Sequence, residues 1–137
     1  MVALDACFTM STTIQYPRDK DTPVSHRPFS PATRVGDLIF VSGQASVDEK
    51  GNIIRDTFDA EFRRSVENMR KVLVTCGSDL QHVVQVRAYV RDPANVDRYN
   101  QLYREFFTAP YPARTTLTGC LPEVLHFEIE CIAVPKG

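Results

Sequence analysis

The chain has 137 residues, 43% of them hydrophobic and 24% charged, with a formal net charge of −1. That length supports one domain with a real core and is too short for two. The chain has no cluster of Lys and Arg to displace phosphate counterions, which excludes a typical duplex nucleic-acid binder. No apolar run approaches the roughly 20 residues of a membrane helix.

The first ten residues, MVALDACFTM, look apolar. They lack the basic flank, long apolar core and small-residue cleavage site of a signal peptide. Residues 1–9 read as an N-terminal extension, with Met10 an alternative start, on a single domain spanning 1–137. The four cysteines, at positions 7, 76, 120 and 131, form no C-x-x-C, and the three histidines are scattered. They read as reduced, mostly buried thiols of a cytoplasmic protein, and neither metal nor cofactor is expected.

In chain order, TTIQY reads as a first short strand. DKDTPVSHRPFSP cannot be helical, because each proline biases its predecessor toward extended geometry. Leu38, Ile39, Phe40 and Val41 are all apolar, which predicts a strand covered on both faces. A turn at Lys50-Gly51-Asn52 predicts a hairpin over 38–54. Phe58, Phe62, Val66, Met69, Leu73 and Cys76 recur at spacings of three and four and form one stripe of a helix over 57–76. Asp56 or Thr57 suits its cap, and Gly77 its stop. HVVQVRAYV (82–90) predicts a strand. A second helix opens near Pro93 or Asn95 and buries Val96, Tyr99, Tyr103 and Phe106, with Asn100 at the edge of that stripe. TAPYPA breaks it, and strands follow over about 114–118 and 125–134. The helices are apolar on one side only, so the sheet's other face needs a partner subunit.

Five blocks carry a resemblance: RPFSPATRVGDLIFVSGQ, SVENMRKVL, VVQVRAYVRD, YNQLYREFF and PARTTL…LPEVLHFEIECIAV. Together, from about Arg27 to Val134, they resemble the YjgF/YER057c/UK114 family, also called Rid (reactive intermediate deaminase). The resemblance implies an α+β, chorismate mutase-like fold with two helices on one face of a mixed sheet. It implies a homotrimer with a central barrel and clefts between subunits. The activity implied is hydrolysis of 2-imino or enamine acids to 2-keto acids and ammonia. Other readings in the family are 2-aminomuconate-type deamination, a translation inhibitor with endoribonuclease activity, and a non-catalytic module that binds small carboxylates. The partners expected are a small 2-imino or 2-keto acid and two further copies of the chain, with no membrane and no nucleic acid.

The same blocks carry candidate site residues. Arg114 matches the family's carboxylate-binding arginine, and a planar guanidinium suits a two-point grip. Its alternative is a salt bridge at the sheet edge, to Glu130. Glu128 matches the glutamate that positions or activates water, and a carboxylate can assist both proton transfers of imine hydrolysis. Its alternative is a buried ion pair with an arginine. Glu130 points to the same strand face and reads as structural. Ser30 and Asn100 match cleft positions, against a turn-forming serine and a helix-surface asparagine. Gly43 allows close backbone approach or marks a β-bulge. Phe29 and Thr116 stand where active imine deaminases often carry Tyr and Cys, which bears on substrate choice and rate.

Overall fold

The computed structural model describes residues 12–22 and 25–137, so the expected extension over 1–9 lies outside the described residues. Five strands and two α-helices form the domain: β1 (Ala32–Val35), β2 (Leu38–Ala45), α1 (Phe58–Thr75), β3 (Val83–Val90), α2 (Val96–Phe106), β4 (Ala113–Thr118) and β5 (Phe127–Ala133). The sheet order is β1-β2-β5-β3-β4. All neighbours are antiparallel except β3 and β4, which are joined through α2 and run parallel. The last strand is thus inserted at the centre of the sheet.

α1 forms where the apolar stripe is. The Thr57 hydroxyl accepts from the Ala60 amide at 3.2 Å, so Thr57 is the cap. At the other end Gly77 takes φ 77°, its amide donates to Val74 O, and the Ser78 amide donates to Leu73 O. That pair of bonds is a Schellman stop, which a residue with a Cβ would enter only with strain. The whole predicted stripe is buried. Phe62 lies at its centre, fully buried, with ring centroids 4.7 Å from Phe127, 5.8 Å from Phe106 and 6.0 Å from Tyr99. Both helices, the central strand and the core therefore meet at one aromatic cluster.

Three predicted elements differ. The TTIQY strand is a single bridge from Gln15 to Arg34. Its partner β1 was hidden behind the prolines of the preceding loop. The first hairpin is instead β1–β2, closed at Gly36 with φ 56°. The expected return after Lys50-Gly51-Asn52 shrinks to one bridge, Val47 to Ile53. Side chains explain this: the Asn68 amide donates to Ala45 O and Val47 O, and Ser46 donates to Ile54 O. The segment is tied to α1 rather than paired as a ladder. Finally, β5 starts at Phe127, not 125.

Leu38 and Phe40 are 44% and 39% exposed, whereas Ile39 and Val41 are buried. In the single chain the strand is covered on its helix side only, and Leu117 on β4 adds to the same bare face. Among the described residues no helix is long and apolar enough to cross a membrane.

A buried carboxylate locks the loop that feeds β5. Glu61 of α1 is fully buried and accepts from the Asp56 amide (3.0 Å), the His126 amide (3.0 Å) and His126 Nδ1 (2.6 Å). It joins the entry to α1 to the entry to β5. Glu61→Ala should cost on the order of 2–4 kcal/mol, at the low end where the half-exposed His126 ring regains water. Urea unfolding of the variant beside the wild type measures it.

Candidate functional site

Strand pairing decides which side chains share a face. Arg114 pairs with Val86, whose other neighbour is Cys131; both are buried against the helices. Arg114 therefore projects on the helix side, at the edge strand β4. Its guanidinium lies 4.9 Å from the Tyr99 ring centroid and 4.7 Å from that of Tyr103. Its Nη2 donates to Asn100 Oδ1 at 2.8 Å. No carboxylate lies within ion-pair distance of it among the described residues, and the expected alternative partner Glu130 is engaged by Tyr89 and, at 3.8 Å, by Arg87. Two aromatic rings and an amide hold the cation, and the Tyr99 hydroxyl also bonds it, leaving its remaining N–H donors for a ligand.

The cavity in front of Arg114, about 230 Å³, is lined by Asn100, Tyr103, Arg104, Tyr111, Pro112 and Arg114. Thr116 follows on the same face and donates to the Tyr99 hydroxyl at 3.2 Å. Burial pushes both tyrosines above the ordinary phenol value, so they stay neutral beneath the guanidinium.

Glu128 lies on the other face. It pairs with Ala45 and Tyr89, and Glu130 follows two residues on, as alternation requires. Two residues of β2, Ser42 and Gly43, bulge between the pairs at Val41 and Gln44. The Ser42 amide donates to Pro31 O, and its hydroxyl donates to Ser30 O at 2.5 Å. The bulge brings Gly43 against the carboxylate: a Cβ there would lie 2.7 Å from Glu128 Oε1. Gly43 thus serves both readings at once, a bulge and a close approach.

Gly43, Glu128, Phe29, Arg27 and Leu125 belong to a second cavity, also about 230 Å³. Phe29 is half exposed there, and Ser30 contributes its carbonyl to the bulge rather than a wall. Among the described residues no hydrogen bond or ion pair engages the Glu128 carboxylate, so the alternative of a buried pair with an arginine is not seen there. Burial first, and Glu130 second, hold its pKa above the ordinary carboxylate value. A larger depression, about 830 Å³, lies between α1 and the 47–54 segment and contains neither Arg114 nor Glu128, and its Arg63 and Arg64 are engaged by Glu105 and Asp56.

One chain thus brings Arg114, Asn100 and Thr116 together on one face, and Glu128, Gly43 and Phe29 on the other. It does not unite the two groups. Sequence reasoning missed the tyrosine platform: Tyr99 and Tyr103 read as core alone, although they stand four apart and flank Asn100 on the helix. It also missed Arg104, which a charge next to the buried stripe signals.

Residues 19–135 match the family described as endoribonuclease L-PSP. The chain is 38% identical to protein mmf2, mitochondrial, of Schizosaccharomyces pombe, over 77% of this chain and 86% of that protein. It is 30% identical to the 2-iminobutanoate/2-iminopropanoate deaminase of Salmonella typhimurium, over 85% and 94%. The crystal structure of TdcF from E. coli with bound serine superposes with a TM-score of 0.79 at 27% identity, over 89% of this chain and 99% of that one.

A raised carboxylate pKa sets the sign of a stability effect. Folding disfavours the charged Glu128, so the cost is absent below the unfolded pKa. It grows as pH rises toward the folded pKa and is full above it. Glu128→Gln should therefore raise Tm at pH 7, by about 2–5 °C, and by less at pH 4. Calorimetric scans at both pH values check this; a variant less stable at pH 7 would show that the carboxylate is held by a favourable contact.

Proposed function

The chain belongs to the endoribonuclease L-PSP family, which includes the YjgF/UK114 and Rid proteins, and from that premise we propose that it hydrolyses 2-imino acids and their enamine tautomers to 2-keto acids. The observation that carries this reading is Arg114. A guanidinium lying over two tyrosine rings, with no acid beside it among the described residues, suits a carboxylate.

The reacting centre is the iminium carbon next to that carboxylate. Water adds to it and passes a proton to Glu128. The same carboxylic acid returns the proton to nitrogen, the C–N bond breaks as the new hydroxyl gives its proton back to Glu128, and that proton passes to the leaving ammonia, so the products are a 2-keto acid and ammonium. Glu128 suits the task, since its raised pKa makes it a stronger base than an ordinary carboxylate and it has no competing partner. Gly43, having no Cβ, leaves the carboxylate its place at the cavity wall.

Arg114 and Glu128 act on one substrate only across a subunit boundary, because they lie on opposite faces of one sheet. A homotrimer supplies that boundary and covers Leu38, Phe40 and Leu117. A second reading, a binding module without turnover, is favoured by Phe29 and Thr116, which lack the hydroxyl and thiol common in active deaminases.

Arg114→Ala should lower imine hydrolysis by roughly ten- to several hundred-fold, since hydrogen bonds to charged groups contribute about 1.5–3 kcal/mol each. Arg114→Lys should recover little of it. Glu128→Gln should keep binding of 2-oxobutyrate and lose turnover. Semicarbazide trapping of imine released by an amino-acid oxidase measures turnover, and calorimetry measures binding. Unchanged turnover in Arg114→Ala sinks the enzyme reading, while binding without turnover in the wild type establishes the module.

The assembly has its own check. Sedimentation should give three times the 15.5 kDa chain mass. Leu38→Asp should shift the protein toward monomer and abolish turnover with it.

A further inference from the structure

The cavity at Arg114 holds a second arginine. Arg104 sits one turn beyond Asn100 on α2, and its Nη1 donates to the Asn100 carbonyl at 3.2 Å, while Arg114 Nη2 donates to the same residue's side chain at 2.8 Å. Two guanidinium groups are thus anchored on one residue at the wall of one small cavity.

Nothing in that cavity balances them. Its other lining residues are Asn100, Tyr103, Tyr111 and Pro112, with no Asp or Glu. Neither Arg104 nor Arg114 has a carboxylate within ion-pair distance among the described residues. Nearby arginines behave differently: Arg98 of the same helix pairs with Asp59, and Arg63 of α1 takes Glu105, the neighbour of Arg104 in sequence. Like charges on the wall of one cavity repel, and an anion lying between them relieves that repulsion. Each guanidinium gives a donor to Asn100, Arg114 also bonds the Tyr99 hydroxyl, and both keep further donors.

We propose that the substrate is a 2-imino acid carrying a second carboxylate, with the α-carboxylate on Arg114 and the distal one on Arg104. This rests on the imine hydrolase reading and narrows it. Arg114 is common to any 2-imino acid. Arg104 rewards only those whose side chain ends in an anion, so it selects four- and five-carbon diacids over aliphatic substrates. Tyr111 and Pro112 form the apolar wall along which the connecting methylenes run.

The stable keto products test this without turnover. Calorimetry would compare 2-oxoglutarate, 2-oxobutyrate and inorganic phosphate on the wild type and Arg104→Gln, with the mass of each checked by sedimentation. The wild type should bind 2-oxoglutarate at least tenfold more tightly than 2-oxobutyrate, and Arg104→Gln should bring that ratio close to one. In imine trapping, the variant's loss on 2-iminoglutarate should appear in KM, with kcat nearly kept. Equal affinities in the wild type, or a ratio that survives in Arg104→Gln, overturn the diacid assignment and leave the hydrolase reading standing. So does phosphate binding as tightly as 2-oxoglutarate, which marks a general anion site. So does a variant that falls apart into monomers with its ratio intact, which gives Arg104 to the interface. If neither keto acid binds, the carboxylate role of Arg114 fails, and this inference fails with it.

Discussion

The two-residue period of β5, at the centre of a sheet covered on one side, is the constraint from which the rest follows. Phe127, Ile129, Cys131 and Ala133 face the helices and are buried. Glu128 and Glu130 must then face the bare side. A slip of one residue would put two carboxylates into the aromatic cluster around Phe62. Register is therefore enforced by the core, and the position of Glu128 is a by-product of that packing. The bulge in β2 completes it, because only the missing Cβ of Gly43 leaves the carboxylate its place.

Arg114 is positioned by a different device. β4 is an edge strand that runs parallel to its neighbour, reached through α2, and its register with β3 sets Arg114 beside Val86. α2 then supplies what the edge lacks. Its buried face presents Tyr99 and Tyr103 as a floor, and Asn100 between them as a fixed acceptor. One helix turn thereby serves the core and the site together. This explains why Tyr99, rather than an aliphatic residue, is tolerated at full burial: its hydroxyl is partnered by Thr116.

Much of this was legible in the sequence, for identifiable reasons. The stripe from Phe58 to Cys76 has one period and clear caps, so α1 could be placed nearly to the residue. Glu128 and Glu130 announce themselves as charges alternating with apolar neighbours. The strand near 12–16 and the hairpin to 54 failed because local pattern cannot report which partner a strand finds. Gln15 meets only Arg34, and Asn68 of α1 takes the carbonyls of Ala45 and Val47 that a return strand would use. The opposite facing of Arg114 and Glu128 was hidden for the same reason. It depends on β5 entering between β2 and β3, a long-range choice that no window of the sequence contains.

That facing has a consequence for how such a site is maintained. Within one chain the cation and the base are separated by the thickness of the sheet, so neither perturbs the other, and Glu128 can keep a raised pKa while Arg114 remains free of acid. Were they adjacent in the folded monomer, they would form an ion pair, the carboxylate would lose its basicity, and the guanidinium its vacancy. Dividing them between faces, and joining them only where two subunits meet around a substrate, keeps each group in the state its chemistry needs. In the proposed trimer the bare apolar patch of Leu38, Phe40 and Leu117 would then have a role in the chemistry, since the contact that buries it would also be the contact that brings base and cation to one substrate.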